Sequence, residues 1–351
     1  MKTGSTSVDG RVAFVDGYAG EGRYADGREG SPALLIRKAR ALSDKRQLEC
    51  VFVEADREAY ERLCDVVAVE GQDLTIDTFL GHVEDHLDTV ISMKTDVPLF
   101  VFLDPFGLMI PFTEVVRLFR RPGGPGAPAT ELLINFSTVA LRRIAGHLHS
   151  QAANAATLGR MDEVCGGDWW RATWLAHAPD KSSSVEDRDA AEEAVVTGYA
   201  DRLGKAGRTG WWTFEVRNRP HHRPAYHLVF LSRHRDGLEL FGEALSLGLE
   251  RWRRAVFEEE AAASLFADDL FKSDEKALAA EWQKEIEGNL RRLLNTHPKF
   301  RISKKYAEVY GDALGKARSK HLRAAWKRLY EEGVTKTDSK GDLLRKTIER
   351  A

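Results

Sequence analysis

At 351 residues the chain is long enough for about two domains. Apolar residues make up 43% and charged residues 30%, an ordinary globular balance, and no window approaches the roughly 18 uninterrupted apolar residues that a membrane span needs. The net charge of −2 hides an asymmetry: residues 299–351 hold 15 Lys and Arg against 7 Asp and Glu, a net of +8, which leaves −10 on residues 1–298.

Three scattered cysteines, Cys50, Cys64 and Cys165, form no CxxC pair and leave one thiol over in any pairing, which fits a reducing compartment. MKTGSTSVDG has no apolar leader, so a cytoplasmic protein is expected.

In chain order, short apolar runs alternate with amphipathic segments: VAFVD (12–16), LECVFVE (48–54), LTIDTFL (74–80), PLFVFLD (98–104) and ELLINFS (131–137). Near-continuous apolar strands separated by helices read as parallel βαβ units with both faces covered, a doubly wound α/β sheet. RRPGGPGAPAT (120–130) reads as a loop, because neither helix nor strand tolerates so much Pro and Gly. A helical insertion is expected over about 138–205, with Trp169, Trp170 and Trp174 packed in its core. WWTFEVRN (211–218) and AYHLVFLSR (225–233), joined by a turn too short for a helical crossover, read as an antiparallel hairpin that completes a mostly parallel seven-stranded sheet. Helices follow over about 236–261 and 274–294. The first domain is therefore placed at 1–265 and a basic C-terminal module at 266–351. Its order of helix, Gly-containing turn, helix and Gly-rich tail suggests a helix-turn-helix or winged-helix unit, with a plain basic hairpin as the alternative.

The chemistry concentrates at strand ends. Asp16 closes the first strand, and Ala19, Gly20 and Gly22 make the turn into the first helix, where small residues let the backbone and its amides approach a ligand. Glu54 ends the second strand, where an acid can accept both hydroxyls of a cofactor ribose. Asp104, Pro105, Phe106 and Gly107 end the fourth, on the side where open α/β sheets bind ligands. Asn135 and Ser137 end the fifth and with Arg142 and Arg143 could meet a phosphate, with helix capping by Ser137 as the plainer role. Ser31 is expected to cap the first helix, with Pro32 in its first turn. His234, after the last strand, is placed either on the substrate side or in a structural role. His221, His222 and His227 lack a recognised ligand spacing, so no metal site is assigned. No GxSxG, HExxH or P-loop is present.

These motifs carry resemblances. DGYAGEG, with Tyr18 before Ala-Gly, resembles the first motif of S-adenosylmethionine-dependent amino-methyltransferases. DPFG resembles the DPPY-type motif of enzymes that methylate exocyclic amines, and that of tRNA guanine-N2 dimethyltransferases. VDGYAGEGRY…GSPALL, FVEAD, FLDPFGLMIPF, ELLINFS…LRR and YHLVFLSRHRDGLELF together resemble the three-Cys-motif partner family over most of residues 10–260. That resemblance implies a class I, Rossmann-like methyltransferase fold with S-adenosyl-L-methionine as cofactor, and a three-Cys-motif protein, similar to radical S-adenosylmethionine proteins, as a partner. On it, Asp16, Tyr18, Ala19, Gly20 and Gly22 would hold the methionine moiety, Glu54 the ribose, and Asp104 to Gly107 the methyl acceptor. The general methyltransferase pattern expects an Asp after the third strand for the adenine. Gly81 and His82 stand there, and Asp85 is the nearest candidate.

The expected function is methylation of an exocyclic nucleobase amine in RNA or DNA, with the basic residues 299–351 binding the nucleic acid. Two alternatives stand beside it: a non-catalytic methyltransferase-like scaffold for nucleic acid or the three-cysteine protein, and methylation of a small molecule or peptide.

Overall fold

The computed structural model describes residues 9–107, 110–121, 128–150, 154–260 and 267–351, with 235 and 267 described by their backbone alone. The chain divides into two compact units, Met1–His234 and Arg235–Ala351.

The first unit is built on β1 (Arg11–Asp16), β2 (Gln47–Glu54), β3 (Ile76–Leu80), β4 (Leu99–Leu103), β5 (Thr130–Ser137), β6 (Gly210–Val216) and β7 (Tyr226–Ser232). They form one sheet in the order β3-β2-β1-β4-β5-β7-β6. The first five strands are parallel, and β7 enters antiparallel between β5 and β6, with Ser137 opposite Tyr226 and Glu131 opposite Ser232. Both faces are covered. Ala13, Val15, Val51, Val53, Val101 and Leu103 point into one buried cluster, while Cys50 and Phe52 point into the other beside Ile36 and Leu63. That two-sided burial is why these strands read as unbroken apolar runs.

The crossover helices are α1 (Ser31–Leu42), α2 (Arg57–Glu70), α3 (Val83–Met93), α4 (Phe112–Arg117) and α5 (Thr138–Ala145). Asp56 caps α2 by accepting the Ala59 N–H at 2.8 Å, and Ser137 caps α5 through the Ala140 N–H at 3.2 Å. The N-cap of α1 is Gly30, not Ser31, and Ser31 and Pro32 occupy the first turn. The expected 120–130 loop falls largely on residues 122–127, outside the described residues.

The insertion consists of α6 (Ala155–Cys165), α7 (Trp169–His177) and α8 (Val185–Gly207), since α5 is the ordinary helix after β5. Ser184 and Asp187 form a reciprocal capping box at the start of α8. Trp170 and Trp174 are buried, Trp170 donates Nε1–H to Asp162 at 2.8 Å, and the Arg202 guanidinium lies 4.5 Å from the Trp169 ring centre.

The second unit comprises α9 (Arg235–Glu260), α10 (Ala267–Thr296), β8 (Lys299–Arg301), α11 (Tyr306–Tyr310), α12 (Ser319–Glu331) and β9 (Thr347–Glu349). β8 pairs antiparallel with β9, and an antiparallel bridge joins Thr335 to Arg350. After the long α10 come the short β8, helices α11 and α12, and the single returning strand β9 that pairs with β8. Ile286, Leu290, Leu294, Leu322, Trp326, Leu329 and Ile348 form its core, and Trp326 donates Nε1–H to the Thr337 carbonyl at 2.7 Å. The division between the units falls at His234, earlier than the expected 265. α9 belongs with the second unit because Ser246 donates to the Lys316 carbonyl at 2.6 Å, Arg318 pairs with Glu250 at 2.6 Å and Arg253 with Glu275 at 2.5 Å.

Candidate functional site

Strand order reverses between β1 and β4, and a cleft forms at such a switch point outside the carboxyl ends of the strands. The loop after β1 is stitched to both neighbours: Gly17 N–H donates to the Phe102 carbonyl and Ala19 N–H to the Val53 carbonyl, each at 2.9 Å. A Cβ at Gly17 would lie 2.7 Å from Leu103 Cδ2, so the close approach excludes a side chain. Gly20 (φ +67°) and Gly22 (φ +79°) adopt left-handed backbone that glycine alone takes without strain, and no atom lies within 4 Å of where a Gly20 Cβ would be. Glu54 holds this turn. Its Oε2 accepts the Gly20 N–H at 2.7 Å and its Oε1 the Asp56 N–H, also at 2.7 Å.

Asp16 is fully buried. Its Oδ1 accepts the Tyr18 N–H at 3.2 Å, while Oδ2 is buried with no hydrogen-bond partner. Burial pushes its pKa up to about 6; the Ser31 hydroxyl and the Tyr18 amide oppose the rise, and the charges of Asp104 and Glu54 add to it. Ser31, in the first turn of α1 and not at its cap, is near enough to the Asp16 carboxyl to oppose that rise. Asp16 thus feels the carboxylates at the ends of β2 and β4, and one of its own oxygens, Oδ2, lacks a donor. A ligand that presents an N–H donor or a cationic group fits this donor set. Among the described residues no cluster of His, Cys, Asp and Glu is arranged to hold a metal ion.

The second half of the glycine-rich stretch closes on itself. Gly27 N–H donates to the Tyr24 carbonyl at 2.8 Å, Arg23 and Glu29 bridge, and Gly30 N–H returns to the Gly22 carbonyl at 2.9 Å. Arg23 clamps Glu70 at 2.5 and 2.9 Å, and Arg37 clamps Glu29 at 2.8 and 2.7 Å. A small rigid hairpin results, with Tyr24 exposed at its tip and the Arg28 guanidinium 5.5 Å from the Tyr24 ring centre.

At the end of β4, Asn135 Nδ2 donates to Asp104 Oδ1 at 2.5 Å. The facing carboxylate requires the amide NH2 on that side, which leaves Asn135 Oδ1 buried and without a partner. Partial burial of the Asp104 carboxyl raises its pKa, against the Asn135 hydrogen bond. Tyr226 at the start of β7 is close enough for the Asp104 charge to add to the rise that burial imposes on its phenol. Phe106 is fully exposed, and Gly107 (φ +121°) closes a tight turn by donating its N–H to the Pro105 carbonyl at 2.9 Å. Residues 108 and 109 of this motif lie outside the described residues.

Asp16, Ala19, Gly20, Gly22, Glu54 and Asp104 are therefore brought to one edge of the sheet, and Tyr18 packs its ring against the main core. Asp85 is exposed on the first turn of α3, its N–H donating to the His82 carbonyl at 3.1 Å. Glu84, one residue earlier, is the acid whose charge reaches Tyr18. Gly81 (φ +138°) donates to the Glu54 carbonyl at 2.9 Å, and a Cβ there would meet His86 Nε2 at 2.7 Å. His234 lies on the opposite edge from the site, because β7 runs antiparallel and its end pairs near the start of β5. Arg142 is tied to Glu192, Thr138 and the Pro224 carbonyl, so its guanidinium already has internal partners. His227 is buried and its pKa lowered to about 4 by desolvation, while His221 and His222 are exposed on the β6–β7 turn. Sequence reasoning missed Tyr226 and the Asp104–Asn135 pairing. The antiparallel register of β5 and β7 is the signal that brings Tyr226 to this edge.

Five parallel strands in the order 3-2-1-4-5, completed by an antiparallel seventh strand inserted between the fifth and sixth, are the class I methyltransferase fold. Solved structures similar to the chain include M. jannaschii TYW2 in complex with AdoMet, with 11% identity, 65% of this chain and 70% of that one covered, and a TM-score of 0.30. Another is the O-methyltransferase TomG from Streptomyces achromogenes in complex with SAM, with 12% identity, 64% and 74% covered, and a TM-score of 0.32. A third is geranyl diphosphate C-methyltransferase from Streptomyces coelicolor A3(2) with Mg2+, geranyl diphosphate and S-adenosyl-L-homocysteine, with 10% identity, 63% and 71% covered, and a TM-score of 0.28. No family model and no curated protein sequence matches the chain.

Proposed function

We propose that the protein is an S-adenosyl-L-methionine-dependent methyltransferase acting on an exocyclic amine of a nucleobase in RNA or DNA. The observation that carries the cofactor is the buried, unpartnered Asp16 Oδ2 beside Glu54 and Asp104. The α-ammonium of the methionine moiety supplies the donor that Asp16 Oδ2 lacks, and the open space at Gly20 leaves room for it. Glu54 Oε1 and Oε2 each retain a lone pair for the ribose hydroxyls while holding the loop. When bound, the cofactor supplies a methyl group on a sulfonium, which leaves as a neutral thioether.

An aryl amine is a weak nucleophile because its lone pair is delocalised into the ring. The Asp104 oxygen not engaged by Asn135 accepts its N–H and, with an affinity for protons raised by burial, takes the proton released on transfer. The exposed Phe106 ring stacks on the base, a contact typically worth about 1–3 kcal/mol. Positioning and exclusion of water supply the rest. The winged-helix unit, with Lys320, Arg323 and Lys327 exposed on α12, binds the nucleic-acid backbone.

Calorimetric titration with S-adenosylhomocysteine tests the cofactor, and no binding to the wild type removes it. Methyl transfer to total RNA or DNA tests the acceptor. Cofactor binding without transfer to RNA, DNA or protein would favour a non-catalytic scaffold that works with a three-Cys-motif partner.

A further inference from the structure

A cavity of about 300 Å3 opens in the first unit between α5, α7, the segment leading into α8 and the β6–β7 turn, with Arg142, His149, Trp174, Lys181, Arg188 and Arg223 on its wall. The carboxylates that pair with its arginines stand outside it. Glu192, which holds Arg142, is buried in α8, and Asp189, which accepts Arg223 Nε at 2.8 Å, is likewise not part of the wall. Asp180 is the one acid on the wall, and its Oδ1 accepts both the Ser182 N–H at 2.7 Å and the Ser182 hydroxyl at 2.6 Å. The cavity is therefore faced by four cations, one histidine and the single Asp180 carboxylate, with the buried Trp174 indole as an apolar floor. Glu192 and Asp189 already hold Arg142 and Arg223, so these two guanidiniums form a fixed back wall, and Lys181 and Arg188 are the cations placed to grip an anion.

The cavity belongs to the same edge as the proposed acceptor site. Arg223 precedes Tyr226 by three residues, a backbone reach of at most about 11 Å, and Tyr226 senses the Asp104 charge. The Pro224 carbonyl between them is held by the Thr138 hydroxyl at 3.0 Å and by Arg142. We infer that this cavity is a phosphate subsite for the methyl acceptor, gripping a nucleotide phosphate while the base lies at Asp104. This inference rests on the nucleobase reading of the site. A free nucleotide and an internucleotide phosphate share the chemistry.

The test is equilibrium binding to the full chain of three probes: nucleoside 5′-monophosphates, the matching nucleosides, and a short single-stranded oligonucleotide. Lys181→Gln with Arg188→Gln removes two charges while leaving the buried Arg142–Glu192 pair intact. At least one phosphate probe should bind, resist replacement by its nucleoside, and lose about tenfold or more in affinity in the double variant. Saturable mononucleotide binding identifies a free nucleotide, and binding of the oligonucleotide alone identifies an internucleotide phosphate. Unchanged affinity in the double variant for every probe that binds, or no binding of any phosphate probe, overturns the subsite. S-adenosylhomocysteine titration of the same proteins separates the two readings. If it fails on the wild type while the phosphate-dependent loss persists, the methyltransferase reading falls and the subsite stands. If it succeeds and the double variant loses no phosphate affinity, the reverse holds.

Discussion

Glu54 Oε2 accepts the Gly20 N–H at 2.7 Å, across 34 residues of sequence, so the acid at the end of β2 builds the turn at the end of β1 before any ligand arrives. The same carboxylate caps Asp56 N–H at the entrance to α2. Glu54→Ala leaves two amides without their charged acceptor and should cost about 1–3 kcal/mol of stability together with most of the cofactor affinity. Glu54→Gln keeps one acceptor oxygen and should recover part of the stability but less of the affinity. Thermal unfolding and S-adenosylhomocysteine titration of both variants check the split, and equal loss of affinity and stability in both would contradict it.

Asp16 gives a pH prediction with a definite sign. Its folded-state pKa, raised to about 6, lies above the unfolded value, so its ionisation opposes folding as pH rises from about 4 through 6. Asp16→Asn should therefore stabilise the free protein at pH 7.5, on the order of 2–3 kcal/mol. A cationic group at Oδ2 favours the ionised form, so cofactor affinity should fall as pH drops through 6 in the wild type, toward tenfold per unit. The Asn variant should bind weakly at every pH. A stabilised variant that binds as well as wild type would show that Oδ2 is not a ligand contact.

Much of the sheet was legible because helices cover both of its faces, so that a central strand such as β2, buried continuously over residues 50–53, is written as an apolar run. Asp16, Glu54 and Asp104 were legible because each terminates such a run, and parallel winding carries all such ends to one edge. The direction of β7 had a further consequence that its composition does not encode. Antiparallel pairing with β5 sends His234 away from the site and brings Tyr226 to it. Ser31 satisfies every rule for an N-cap, yet Gly30 takes that place and Ser31 falls in the first turn, near the buried Asp16 carboxyl. Helix α9 is amphipathic, and amphipathicity does not say which unit its apolar face will cover. The Asp104–Asn135 hydrogen bond joins two strand ends 31 residues apart and follows only from their parallel pairing.

In the C-terminal unit, Glu239 is raised to about 7, first by burial and then by Glu243, Asp236 and Asp342, with Arg345 opposing. An acid whose folded pKa exceeds its unfolded one destabilises the fold progressively as pH rises between about 4.5 and 7. Glu239→Gln should raise the unfolding temperature of this unit at pH 8 and leave it nearly unchanged at pH 4.5. An equal shift at both pH values would assign the effect to packing.

His321 runs the other way. Its Nδ1 accepts the Arg318 N–H at 2.9 Å, and burial lowers its pKa to about 4, with Lys320 and Arg318 adding to the fall. The neutral ring supports the fold above about pH 6.5, and that support is lost as pH falls toward 4. His321→Gln should flatten the acid limb of the stability profile between pH 6 and 4. Circular dichroism melts across that window check it, and an unchanged limb would move the cause to another group.

The last prediction concerns α12. Leu322, Ala325, Trp326 and Leu329 are buried in the core of the second unit, which turns Lys320, Arg323 and Lys327 outward at helical spacing. Arg323 holds the Ser339 and Gly341 carbonyls, so it ties residues 338–341 to the helix, while Lys320 and Lys327 are exposed, Lys327 lying 3.6 Å from Glu331 one turn on. If about four phosphates are neutralised by this unit, log affinity for nucleic acid should fall with log salt at a slope near −3.6. Lys320→Ala and Lys327→Ala should each reduce the magnitude of that slope by about 1, uniformly across sequences. Arg323→Ala should also lower the melting temperature, because the turn carbonyls lose their donor. Filter binding over a salt series reads the slopes, and a slope unaltered by both lysine substitutions would place the nucleic-acid contact elsewhere on the chain.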